Sequence, residues 1–348
     1  MFLEDQNSFQ REPLPIPSGV PYDYVTTKNM SIEGRCIVGN VHKYSSGITT
    51  ALMWTLDPQS GSVTATILPT ICSTSSGNIP YDCAVIGNRY VVVGRTCPES
   101  PYATIWENGN KVFESNFNTC FGILHSISSN EVISGAACFS AVIWNRGQGA
   151  NPIIDNTTGS RYHSVISEDG SVVAFHNTDI WGGNITDVWK DGRKVVVYDF
   201  FPTAVVMRSN NLAVVYGKNT FTQRASRFTV DFSQQQPVVS QKEDLNSVFS
   251  SIIPQGVILE SIEDVSTDER FILCSAKLLS NNLVTPCIIS LQHVTYTVTV
   301  NSTGNGSGSI SSSPTGISYS YPSNNTGSST FNHGSTVVIT ATANPGQR

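Results

Sequence analysis

From Val165 to His176 the chain reads "VISEDGSVVAFH", two alternating apolar runs meeting at Asp169-Gly170. Asp-Gly between β-type runs is a hairpin signal, because both residues tolerate the turn's left-handed backbone. The pattern recurs. Turns near Gly34, Asn88, Asn130, Gly170, Asn211 and Asp268 are each followed by a β-rich run: "CIVGN", "YVVVG", "EVISG", "SVVAF", "LAVVYG" and "FILCS". A third run follows, closing on an aromatic at Trp54, Trp106, Trp144, Trp189 and Phe228; the sixth unit has "PCIIS" instead. Units one to five then add a fourth run: "VTATIL", "KVFESNF", "NPIID", "KVVVYD" and "PVVSQ". No 3.6-residue periodicity is sustained anywhere, so the pattern predicts an all-β chain.

Turn spacings run from 40 to 57 residues, with four short strands per unit. Such a unit cannot bury both faces of its sheet alone, and stacking copies around an axis covers the faces and removes most edges. The expectation is a six-bladed β-propeller of four-stranded blades over 29–293, with the aromatics filling the seams between blades. Unit six lacks a fourth strand, so the segment 1–28 is expected to close the ring. Residues 1–10 would supply the missing outer strand, and the proline-rich 12–21 would cross the outside as an extended connection. A disordered tail is the alternative.

These units resemble the Asp-Gly hairpin repeats of TolB-like propellers and, in their G…(A)xxW pattern, the repeats of the extracellular HAF family, over about residues 30–292. The resemblance implies that each first strand lines a central channel and each third strand carries the aromatic.

Residues 294–348 change character, becoming rich in Gly, Ser, Thr and Asn. A flexible linker would have that composition. Four runs argue for strands instead: "YTVTV", "GSISSSP", "SSTF" and "TVVITATA". The stretch is similar to divergent internalin-B-type surface repeats, without the Cys pair that often follows their "SSPxGI" and without their following Phe-x-x-Trp segment. That resemblance implies a small β module serving as stalk or spacer.

Charged residues make up 13% and the net charge is −6. With no basic cluster a nucleic-acid partner is not expected, and no apolar run is long enough for a membrane span. The opening "MFLEDQNSFQ" does not read as a signal peptide. Six N-x-S/T triplets, at Asn29, Asn156, Asn184, Asn301, Asn305 and Asn324, join eight cysteines and abundant hydroxyls in suggesting an extracellular or cell-surface setting and N-glycosylation. Counting outward from the turns pairs Cys120 with Cys138 and Cys274 with Cys287; Cys36, Cys72, Cys83 and Cys97 stay unassigned.

Motifs for nucleotides, zinc, calcium or a serine nucleophile are absent, so no cofactor or metal is implied. Near the starts of the first strands stand Asp82, His125, Tyr162, His163, Asp199, Glu263 and Asp264. Gathered at a channel mouth they could bind a ligand or do acid–base work on a glycan; as isolated strand ends they would only be solvated. His125 and His163 take nearly equivalent places in their units. The expected function is a non-catalytic binding or adhesion module for a glycan or surface protein, with the tail as spacer. The alternatives are a propeller glycosidase or polysaccharide lyase, and a self-associating subunit of a surface layer or filament.

Overall fold

Serine hydroxyls close the repeated hairpins. Ser31, Ser128, Ser167 and Ser266 each accept the backbone N–H of the residue that opens the next run, Cys36, Val132, Val172 and Phe271, at 2.9–3.1 Å. Ser128, Ser167 and Ser266 also donate to the turn side chains Asn130, Asp169 and Asp268. Local bonds of this kind fix the turn before any long-range contact forms.

The computed structural model describes the chain except residues 1–13, 21, 32–33, 44, 46–47, 70–77, 97–101, 116–121, 138–139, 150–152, 156–160, 179–181, 292–294, 333–335 and 347–348. It divides into two compact units, Met1–Ile289 and Ser290–Arg348. The first holds six antiparallel sheets, each built from strands adjacent in sequence. Sheets one to four have four strands, sheet five adds a short fifth, and sheet six has three among the described residues. Their first strands are Tyr24–Met30, Ile79–Ile86, Gly122–Ile127, Arg161–Ile166, Phe200–Ser209 and Val257–Val265. Each of the first five touches the first strand of the next sheet. First strands on the inside with sheets stacked face to face are the arrangement of a propeller.

The aromatics lie in the seams, each turned toward the preceding sheet. Trp106 packs with Cys36, Val38, Met53 and Leu68 of sheet one, and Trp144 with Val91 and Ile105 of sheet two. Trp189 meets Ala141 and Ile143 of sheet three, and Phe228 meets Ala174 and Val188 of sheet four. Trp54, Trp106, Trp144 and Phe228 are buried; Trp189 is half-buried.

Trp54 has the same orientation, and Leu14, Ile16 and Val20 cover it. Its indole N–H donates to the Pro15 carbonyl at 2.6 Å, as that of Trp106 donates to Pro69 at 3.0 Å. Leu14-Pro15 therefore does for sheet one what Leu68-Pro69, at the end of sheet one, does for sheet two. In the stretch 12–21, expected to cross the outside as a connection, proline removes donors but leaves a carbonyl and an apolar ring to pack. The expected outer strand, residues 1–10, lies outside the described residues.

Every first strand carries a bulge. Those of sheets five and six carry two; the extra residues are Lys28, Tyr81, His125, Tyr162, then Thr203 and Arg208, and Glu260 and Glu263. The bulge brings the first strand so close to the second that four second strands place glycine there: Gly39, Gly94, Gly135 and Gly217. A Cβ on any of them would stand 2.0–2.3 Å from a carbonyl oxygen of the first strand. Gly135→Ala, whose Cβ would meet the Ile123 carbonyl at 2.2 Å, should destabilise the protein by about 1–3 kcal/mol in urea unfolding, because rigid backbone must shift. An unchanged midpoint would contradict the close approach.

The second unit has five strands where four were expected. Thr295–Asn301 pairs with Thr326–Asn332; Gly308–Ser313 lies between Ser318–Tyr321 and Val338–Ala343. The missed strand, "SYSY", stands where the resembling repeats carry their Cys pair. Tyr319 there packs with Ile310, Ile317 and Phe331 and bonds Ser302 at 2.6 Å through its hydroxyl.

Candidate functional site

Six of the seven sequence-derived candidates lie at or directly after a bulge of an inner strand. His125, Tyr162 and Glu263 are bulge residues, and Asp82, His163 and Asp264 directly follow a bulge. His125 and His163, read from sequence as nearly equivalent, stand on the inner strands of neighbouring sheets. Asp199 lies apart. It precedes the first strand of sheet five at φ +52°, its N–H donating to the Asn184 carbonyl and its own carbonyl accepting from Thr220, and it serves a turn.

Asp82 ties three sheets together. Its Oδ1 accepts from Asn29 Nδ2 of sheet one at 2.7 Å and from the Cys83 N–H at 2.8 Å. Its Oδ2 accepts from Ser126 Oγ and the Ile127 N–H of sheet three, both at 2.9 Å. Burial nevertheless pushes its pKa up to about 7, against those four bonds and with Asp264 of sheet six adding repulsion. Asp264 is also raised by burial, and its carboxylate accepts the Val265 N–H. Glu263 takes bonds from Ser261 and Ser275.

Beside these carboxyls runs a row of rings. Tyr81 meets His125 edge-on at 5.5 Å between centroids, and His125 meets His163 at 5.8 Å. Phe201 stacks on His163 at 5.1 Å and touches His176 at 4.6 Å. The row spans sheets two to five. Burial lowers His125 to about 3, helped by His163 and Arg95, and lowers His163 to about 4, helped by His176. Both imidazoles are neutral at physiological pH. His176, not singled out from sequence, belongs to this group, and its Nε2 lies 3.0 Å from Asn184 Oδ1.

A cavity of about 440 Å³ opens at the other end of the inner strands, among the hairpin turns, lined by Ser129, Asp169, Met207, Arg208 and Thr267. Its charged groups are already engaged: Arg208 forms a two-pronged pair with Glu269, and Asp169 binds Ser167 and Ser171. Among the described residues no group of three or more His, Cys, Asp or Glu could hold a metal ion.

Cys274 and Cys287 form a disulfide with Cα atoms 5.2 Å apart, the pairing read from sequence. Cys36 and Cys83, unassigned from sequence, are free and buried across the seam of sheets one and two, with Cys83 Sγ 3.4 Å from the Cys36 carbonyl oxygen. Cys72, Cys97 and the proposed Cys120–Cys138 pair lie outside the described residues. Of the glycosylation candidates, Asn301, Asn305 and Asn324 are exposed, whereas Asn29 spends its Nδ2 on Asp82 and Asn184 its Oδ1 on His176. Asn156 and the Tyr162 side chain lie outside the described residues. No helix among those residues is long and apolar enough to cross a membrane.

The fold and the inner-strand site define an all-β chain of repeated four-stranded sheets in a propeller-like arrangement. No family model matches the chain, and no curated protein matches it. Similar solved structures include proteins provisionally named 6-phosphogluconolactonase from Bacteroides uniformis and Bacteroides fragilis. The first is 8% identical with TM-score 0.39 over 76% of this chain and 84% of that one; the second is 11% identical with TM-score 0.40 over 76% and 83%. A protein provisionally named TolB from Agrobacterium tumefaciens is 12% identical, with TM-score 0.38 over 65% of this chain and 83% of that one. No activity or ligand is carried over from likenesses at this level.

Proposed function

We propose that the chain is a non-catalytic glycan-binding module that acts at a cell surface, with the C-terminal unit as an internalin-B-type spacer. The observation that supports this reading is the row of rings on the inner strands, of which Tyr81, His163 and Phe201 stay partly exposed. Aromatic faces receive the apolar face of a sugar, and neutral imidazoles donate and accept hydrogen bonds to its hydroxyls. Six-sheet closure, with the N-terminal segment completing sheet six, belongs to the same proposal. The Cys274–Cys287 disulfide fits an oxidising compartment.

A glycosidase reading has one observation in its favour. Asp82 and Asp264 both have raised pKa values and lie within electrostatic reach of each other, as paired catalytic carboxyls do. Asp82, however, has both oxygens committed to bonds that join three sheets. The full chain on a glycan array should retain a defined set of sugars and release no reducing ends from them. Release of reducing ends that Asp82→Asn abolishes would install the enzyme; retention of no sugar would remove the glycan-binding reading.

A further inference from the structure

Among the described residues Arg95 is a cation without a counterion. It lies near the end of the second strand of sheet two, opposite Ile79 and two residues before the bulge at Tyr81. Val91 and Val93 of the same strand face sheet three, and alternation puts Arg95 on that side. That register, two residues from the Tyr81 bulge and on the face toward sheet three, puts it beside the start of the row of rings. Its Nε is buried without a hydrogen-bond partner. Among the described residues its guanidinium has no ion pair, although the other arginines between sheets two and three, Arg89 and Arg146, each pair with both Glu107 and Glu131.

A half-buried guanidinium is costly unless something returns the hydrogen bonds that water supplied. The groups around Arg95 cannot. Tyr81 is held protonated by burial, the imidazoles carry no negative charge, and Asp82 is committed elsewhere. Lys28, at the bulge of sheet one, is a second cation without an ion pair among the described residues.

We infer that the ligand carries a carboxylate, received by the Arg95 guanidinium, with the sugar ring to which it belongs lying along Tyr81 and His125: a uronic-acid residue of an acidic glycan. The inference rests on the glycan-binding reading and deepens it. A planar carboxylate matches the guanidinium fork with two parallel hydrogen bonds. Neutral His125 neither repels it nor offers a competing salt bridge.

The test is calorimetric titration of the full chain with a galacturonate trisaccharide and with the matching neutral galactose trisaccharide, which differ only at C6. The acidic sugar should bind at least about tenfold more tightly, the scale of one charge-assisted bidentate contact. Arg95→Gln should erase that difference, Arg95→Lys should keep only part of it, and Arg89→Gln should leave it intact. Acetate, followed through the ring signals of His125 and His163 by NMR, serves as a carboxylate without a sugar. Equal binding of both trisaccharides, unchanged in Arg95→Gln, overturns the carboxylate inference and leaves the glycan reading standing. If neither sugar binds while acetate shifts the histidine signals in the parent but not in Arg95→Gln, the anion site holds and the glycan reading falls. No response to sugar or acetate overturns both. Arg95→Lys, which keeps the charge and loses the fork, carries the test if Arg95→Gln does not fold.

Discussion

Trp106→Ala is expected to lower the unfolding free energy by about 3–5 kcal/mol, the range for emptying a fully packed aromatic site. The indole is 0% exposed and lies between two sheets, so neither sheet can close the space without moving relative to the other. Its loss also strands the Pro69 carbonyl, which accepts the indole N–H. Urea denaturation followed by circular dichroism gives the number. Trp189→Ala should cost visibly less, because that ring is half-buried and Lys194 lies over its face at 5.1 Å. Equal losses would mean that the seam positions are not what sets the cost.

Acid should destabilise the protein between about pH 6.5 and 4, and the slope follows from the inner-strand groups. His125 falls from 6.5 to about 3 and His163 from 6.5 to about 4 on folding, so the unfolded chain binds two protons there that the folded chain refuses. Asp82 works the other way, rising from 3.8 to about 7, so in this window the folded chain holds one proton that the unfolded chain has lost. Below pH 6.5 the unfolded state therefore gains a net proton, and stability falls as pH falls, by about 1.4 kcal/mol per pH unit. Asp264, raised by burial, and His176, lowered by burial, act in opposite senses. Urea midpoints from pH 6.5 to 4.5 should show a loss of about 2 kcal/mol. His125→Asn should flatten the slope and Asp82→Asn should steepen it. A parent protein whose stability holds or rises as pH drops across this window would mean that the imidazoles charge inside the fold.

Hairpins, seam aromatics and the strand order within each sheet were legible because their causes are local. Turn residues, two-residue alternation and an aromatic at a fixed offset all act within about ten positions. The bulges were not legible. A bulge exists only relative to a partner strand, and its one trace in the sequence was the glycine of "VVVG" and "VISG", readable as punctuation or as close approach. The hairpin serines were on view and overlooked, since Ser is common everywhere in this chain. Arg95 could not be singled out at all: its distinction is the lack of an ion-pair partner among the described residues, and that is a tertiary property. The same holds for Cys36 and Cys83, 47 residues apart in sequence.

The disulfide in sheet six has a mechanical consequence. The second unit begins at Ser290, where the last strand of that sheet, Val284–Ser290, ends. Tension applied through the C-terminal unit would load this strand from its end and open its ladder one rung at a time, the direction in which a hairpin resists least. Cys287 stands three residues from that end and is bonded covalently to Cys274 on the neighbouring strand, Phe271–Leu278. Peeling can therefore proceed through residues 288–290 and no further. Beyond that point the load passes to a strand anchored by the buried Ile272, Cys274 and Ala276, and the sheet must be sheared as a block. Under reducing conditions the stop is gone, so the force at which the sheet yields should depend on the redox state of a single bond.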